Sequence, residues 1–178
     1  MKLLRTIRLD PSDTFIFERA AEPGEWAVPG AFMFMEVDPA KLEGKARVAF
    51  RSGFLGLGSL GWSTLVQIVE ASDADRAAAV TQLAEKLVAE FGAPDMEAAT
   101  AAASEELDFA ASLCEHPKDT LIAMHRAYED GAIRETFRTL TPRAGEPKPL
   151  RAFAFMEVEG EDETDETVDL MALAKEKK

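Results

Sequence analysis

A six-residue strand signature occurs twice in this chain. Phe32-Met33-Phe34-Met35-Glu36-Val37 is followed by Asp38, and Phe153-Ala154-Phe155-Met156-Glu157-Val158 by Glu159. Both copies alternate in period two, with Phe, Phe and Glu on one face, the pattern of a strand with one buried face. Near-identical strands close to the two ends of a chain predict that start and end belong to one sheet. Glu36 and Glu157 hold the same place in the two copies. If the strands are neighbours, the two carboxylates approach and split their pKa values as an acid/base pair does. Otherwise both mark where a strand leaves the core.

The chain has 178 residues, enough for one domain with an appendage. A chain of this size buries enough surface to need no metal or disulfide staple. Its single cysteine, Cys114, excludes an internal disulfide and fits a reducing cytoplasm. Charges interrupt Met1–Arg8 where a signal peptide needs an apolar run, and no apolar stretch is long enough to span a membrane. The formal net charge is -13. Such a surface repels phosphate backbones and anionic lipid, so neither nucleic acid nor membrane is an expected partner. The acid is concentrated at the end: residues 157–178 hold nine acids and three lysines. A single domain over 1–159 and an acidic tail over 160–178 are therefore expected.

Along the chain, residues 3–9, 14–18, 47–51 and 63–70 read as strands, as do the repeat copies. The period changes at Ser72-Asp73-Ala74-Asp75, a capping-box start, after which Val80, Leu83, Ala84, Leu87 and Phe91 recur at helical spacing. Gly92 and Pro94 stop that helix. A second helix is expected over 95–115 and a third over 118–129, with Leu121, Met124, His125 and Tyr128 on one face. Residues 132–140 fit a helix or an edge strand, with the charge alternation favouring strand. Strands, then helices, then strands indicate an α+β fold: a mainly antiparallel sheet from the N-terminal half plus the strand near 150–158, covered on one face by two to three helices within about 73–130.

Chemical motifs are sparse. Gly56-Leu57-Gly58-Ser59-Leu60-Gly61 matches the dinucleotide fingerprint by letter, which works only between a strand and a helix N-terminus. Trp62–Glu70 after it reads as a strand, so a glycine-rich bend is the simpler expectation. Trp26 and Trp62 flank glycine-rich loops and would line a ligand pocket with Gly56, Gly58, Gly61, Glu36 and Glu157, or else plug the end of a sheet. Cys114, His116 and His125 are the only soft metal ligands in the chain, too few for a structural zinc site without added carboxylates. Cys114 sits at a helix C-terminus, where the dipole disfavours a thiolate. No cofactor is expected and no catalytic residue stands out. In the tail, Val168, Leu170, Met171 and Leu173 follow the acidic run and resemble segments that fold onto a partner's groove.

Thr6-Ile7-Arg8-Leu9-Asp10, Ser12-Asp13-Thr14-Phe15, Glu22-Pro23-Gly24-Glu25-Trp26-Ala27-Val28-Pro29-Gly30, Ser52-Gly53-Phe54 and Gly61-Trp62-Ser63-Thr64 resemble an uncharacterised family of short acidic bacterial proteins, a domain of unknown function. That resemblance extends over all but the tail and supplies no catalytic residues. Its gene neighbourhoods, which contain cofactor-ligase and redox-enzyme assembly functions, imply an accessory role. The expected function is a non-enzymatic accessory or protein-interaction domain that engages another protein or a second copy of itself, linked to assembly of a cofactor-bearing redox enzyme. The competing expectation is a small-molecule-binding domain or enzyme with its pocket near Gly53–Gly61.

Overall fold

The computed structural model describes residues 1–142 and 156–159. In chain order the elements are β1 (Lys2–Ile7), α1 (Asp13–Ile16), β2 (Trp26–Val28), α2 (Gly44–Ser52), β3 (Phe54–Gly56), β4 (Trp62–Ser63), β5 (Leu65–Glu70), α3 (Asp73–Glu90), α4 (Met96–Ser112), β6 (Leu121–Glu129), β7 (Ala132–Pro142) and β8 (Met156–Glu159). Among the described residues all strands join one antiparallel sheet in the order β4-β3-β2-β1-β5-β6-β7-β8. The fold is α+β, and the last strand returns to the sheet that the first one starts.

The sheet curls. Phe54 on β3 and Phe137 on β7 lie 6.1 Å apart, although four strands separate them in the sheet order. α4 lies against the inner face, where Phe109 meets Phe137 edge-on at 5.9 Å. Its stripe of Ala99, Ala103, Leu107 and Ala110 is buried, and small side chains at that spacing bring a helix close to its neighbours. α3 packs on α4. It starts with a complete capping box, in which Ser72 accepts from the Asp75 amide and Asp75 accepts from the Ser72 amide.

The first repeat copy is not a strand. Ala31–Phe34 is a 3₁₀ turn followed by a bend, held by local bonds from Met33 N to Gly30 O, Met35 N to Phe32 O and Val37 N to Phe34 O. Two causes are visible. Gly30 takes a left-handed conformation with φ 79, which ends β2, and a Cβ there would sit 2.7 Å from Leu55. Phe34 is drawn into a stack with Trp62 and an edge contact with Phe50, at 5.2 and 5.1 Å. The second copy contributes β8, paired with β7 through Thr141–Glu157 and Leu140–Val158. The two copies therefore do not pair, and Glu36, exposed in the bend, is not the sheet counterpart of Glu157.

Three other segments differ from expectation. Residues 14–18 hold the short helix α1, with Phe15 outside and Phe17 inside. Residues 47–51 lie in α2, where Arg47 and Arg51 fall one turn apart on the exposed side and Ala49 and Phe50 turn inward. Residues 118–129, expected as a third helix, supply β6. Its buried face is Ile122, Met124 and Arg126, and a buried arginine hides the period-two pattern from a reader looking for apolar residues. Residues 132–140 are strand, closed to β6 by Asp130-Gly131. Both turn residues have positive φ, 52 and 77, as a tight hairpin requires. Residues 160–178 lie outside the described residues.

Candidate functional site

A charged interior site lies under the curl. Arg126 is fully buried on β6. Its Nε donates to Glu135 Oε1 at 2.9 Å, its Nη1 to the carbonyls of Phe50 and Gly53 at 2.8 and 3.5 Å, and its Nη2 to the Pro29 carbonyl at 2.6 Å. The guanidinium also faces the rings of Phe34 and Phe50 at 5.3 and 5.9 Å. One side chain thus pins the end of α2, the start of β3 and the end of β2 to the β6–β7 hairpin. An arginine does this better than a lysine because its planar fork offers five donors in fixed directions.

Glu106 on α4 is electrostatically coupled to the same pair. Burial pushes its carboxyl up to about 7, the charge of Glu135 and the smaller influence of Glu105 push the same way, and Arg126 opposes them. Arg126 bonds Glu135 and acts on Glu106 only through its field, so burial and the Glu135 charge hold the Glu106 carboxyl towards its neutral form. The cluster has the ingredients of acid/base chemistry. Arg126, however, is committed to three carbonyls of its own chain.

The glycine loop is also internally occupied. Gly56–Gly61 joins β3 to β4, two antiparallel neighbours, so no helix N-terminus follows it. The Glu25 carboxylate sits inside the loop, accepting from the Ser59 amide at 3.1 and 3.2 Å, the Ser59 hydroxyl at 3.0 Å and the Glu22 amide at 3.2 Å. A Cβ on Gly56 would collide with Glu25 Oε2, and one on Gly58 would press on the same carboxyl at 3.2 Å. These glycines leave room for the chain's own side chain. Lys86 of α3 donates to the Gly58 carbonyl at 2.9 Å and ties the loop to the helical layer.

The remaining candidates disperse. Trp62 is buried against Phe34, whereas Trp26 is half-buried under the Arg5 guanidinium at 4.0 Å. Cys114 is buried at the end of α4, its thiol bonded to the Ala110 carbonyl at 3.4 Å and pushed up to about 11, chiefly by burial. His116 is exposed just beyond α4, and its carbonyl accepts from Lys2 Nζ at 2.5 Å. His125 lies opposite Thr136 on the sheet face away from α4. Among the described residues no three such side chains are grouped to hold a metal ion. Val168, Leu170, Met171 and Leu173 lie outside the described residues.

Four groups escaped the sequence reading: Arg126, Glu106, Glu25 and Asp13. Asp13 is buried and caps the β4–β5 corner, accepting from the Thr64 amide at 3.2 Å and the Thr64 hydroxyl at 2.8 Å. Each is a charged residue, a type that sequence alone assigns to a surface.

A family model matches residues 1–158, so it takes in every element just described up to the penultimate residue of β8. The chain belongs to DUF6505, a family of unknown function. No curated protein and no solved structure matches it. Arg126, Glu106, Glu135, Glu25 and Asp13 all fall within the DUF6505 match, and the acidic C-terminal stretch falls beyond it. No helix among the described residues is long and apolar enough to cross a membrane.

Proposed function

We propose that this DUF6505 protein is a non-enzymatic accessory protein that works by engaging another protein or a second copy of itself. One observation carries the reading. Three of the charged groups set into the described core are held by the chain's own backbone and side chains: Arg126 by three carbonyls, Glu25 by its loop, Asp13 by Thr64. A substrate would have to displace several charge-assisted bonds to reach any of them. The partner-binding element is the acidic C-terminal segment, with Val168, Leu170, Met171 and Leu173 as its apolar anchors. The finer reading is a cytoplasmic helper in assembly of a cofactor-bearing redox enzyme, supported by the gene neighbourhoods of the family it resembles.

The test is cross-linking in the native host followed by capture of the full chain, beside a full chain with Leu170→Asp and Leu173→Asp. Expected is a defined protein partner that the double variant loses. Recovery of the same partner by both chains removes the segment from the mechanism. The competing ligand reading requires a small molecule to take the place of Glu25. It predicts that Gly58→Val or Trp62→Ala abolishes binding without unfolding. Unfolding of both variants marks the loop as structural.

A further inference from the structure

The described residues leave a cleft of about 210 Å³ where α4 runs out against β6 and β7. Its floor is apolar: Leu113 just past the helix, Ile122 on β6 and Phe137 on β7. Its rim carries hydrogen-bonding groups: Ser112, Glu115 and His116 around the end of α4, and Thr139 on β7. The register accounts for the meeting. Ile122 pairs with Thr139 and Met124 with Phe137, so all four share the sheet face on which α4 lies. The helix stops at Ser112, and the seam between helix and sheet opens there.

The electrostatics of the cleft favour a cation. A helix C-terminus carries partial negative charge, and α4 has no basic residue in its last turn. Among the described residues no group donates to the carbonyl of Ser112 or Leu113, two of the acceptors that a helix end leaves over. Glu115 is exposed and makes no ion pair among the described residues. The chain already brings one ammonium to this turn, since Lys2 Nζ donates to the His116 carbonyl at 2.5 Å. Lys118 is exposed two residues further on. Neither lysine lines the cleft, and Asp119 is turned to Gln67 at 3.1 Å.

We propose that this cleft takes one arginine side chain of a protein partner. The size selects a single side chain, because pockets for cofactors and metabolites begin at about 300 Å³. The two halves of the cleft select arginine. Its methylene stem covers Leu113 and Ile122, its flat guanidinium packs against the Phe137 ring, and its five donors reach Glu115 and the open carbonyls of the helix end. Lysine matches less of this, being a strongly hydrated point charge. An acidic side chain is repelled by Glu115, by the helix end and by a chain of net charge -13. The same net charge draws basic surfaces towards the protein before contact. Arginine is also among the side chains that dominate binding where they anchor in a pocket. The inference rests on the accessory reading for the source of the arginine, and it names the partner's chemistry: a basic surface with an exposed arginine.

The experiment titrates N-acetyl-arginine amide into the ¹⁵N-labelled full chain and follows the amide shifts. Its neutral isostere N-acetyl-citrulline amide and free arginine are run beside it. One side chain cut from its protein binds in the millimolar range, so the titration runs to about 50 mM. Expected are shifts confined to 112–116, 122 and 137–139, with citrulline about tenfold weaker because the charge-assisted bonds are gone. Glu115→Gln should weaken the arginine shifts severalfold while the rest of its spectrum stays in place, which separates a lost contact from a lost fold. No shift at these positions, or equal shifts with citrulline, overturns the proposal. Tighter binding of free arginine than of the blocked form also overturns it, by making the cleft a metabolite site. Wild-type self-association in light scattering that Glu115→Gln abolishes does the same, by assigning the arginine to a second copy. A partner captured equally by the wild type and by Glu115→Lys keeps the accessory reading and overturns the cleft as its site. Arginine shifts that hold while no partner is captured sink the accessory reading and leave the chemistry of the cleft in place.

Discussion

The inner and outer faces of the β6–β7 hairpin are built from alternate residues of the same two strands, yet they solve opposite problems. Inside, Arg126 and Glu135 are sealed beneath α4 and α2, with side-chain exposures of 0% and 12%. Outside, at alternate positions of the same strands, His125 is half-buried and Arg134 and Arg138 meet solvent. Charge is tolerated inside because every guanidinium nitrogen finds an acceptor, and outside because water supplies one. The interior cluster therefore fixes the fold, while the exterior one stays at the surface, with Arg134 beside Glu129 and Asp130.

The largest effect expected of any single change is inside. Arg126→Met strips Glu135 of its partner and leaves the carbonyls of Phe50, Gly53 and Pro29 without a donor, at a cost of about 3–5 kcal/mol. Urea unfolding measures this, and adding Glu135→Met should recover part of the loss. Gly56→Ala comes next. Its Cβ expels the Glu25 carboxylate from the loop, costing about 1–3 kcal/mol. Glu25→Ala sharpens the point: it should lower stability without creating phosphate binding, which isothermal titration would detect.

Glu106 gives a smaller, pH-dependent effect. Its folded pKa is raised to about 7 from an ordinary 4.5, so the native state holds the proton more tightly than the unfolded chain. The contribution is complete below about 4.5, falls as pH rises, and is gone above about 7. Glu106→Gln should flatten that slope in unfolding curves taken across this range. The smallest effect is outside: Ala123→Ser or Arg138→Glu should change stability by less than about 0.5 kcal/mol. A large loss from either would erase the distinction between the two faces.

The regular half of the molecule is legible from pattern. The Ser72 capping box and the Val80, Leu83, Leu87 spacing identify α3, and the β-branched alternation of 65–70 identifies β5. The failures have a shared cause. Phe32–Val37 and Phe153–Val158 are near copies, but Gly30 and the pull of Phe34 towards Phe50 and Trp62 bend the first, while β7 offers the second a partner edge. Long-range context outweighs local alternation there. Residues 118–129 read as a helix because one inward residue of β6 is Arg126, and the interior site is hidden in the sequence for the same reason. A buried arginine looks like surface until the carbonyls that hold it, 76 and 97 residues away, are brought to it.

The most direct measurement is native mass spectrometry of the full chain purified gently from its own host, for the wild type and for Leu170→Asp/Leu173→Asp. The expected result is a protein partner or a second copy bound at defined stoichiometry. The double variant should lose it, because the apolar anchors of the C-terminal segment are gone. A stoichiometric small molecule or metal retained by both chains would contradict the accessory reading and return attention to the glycine loop and the Arg126–Glu106 cluster.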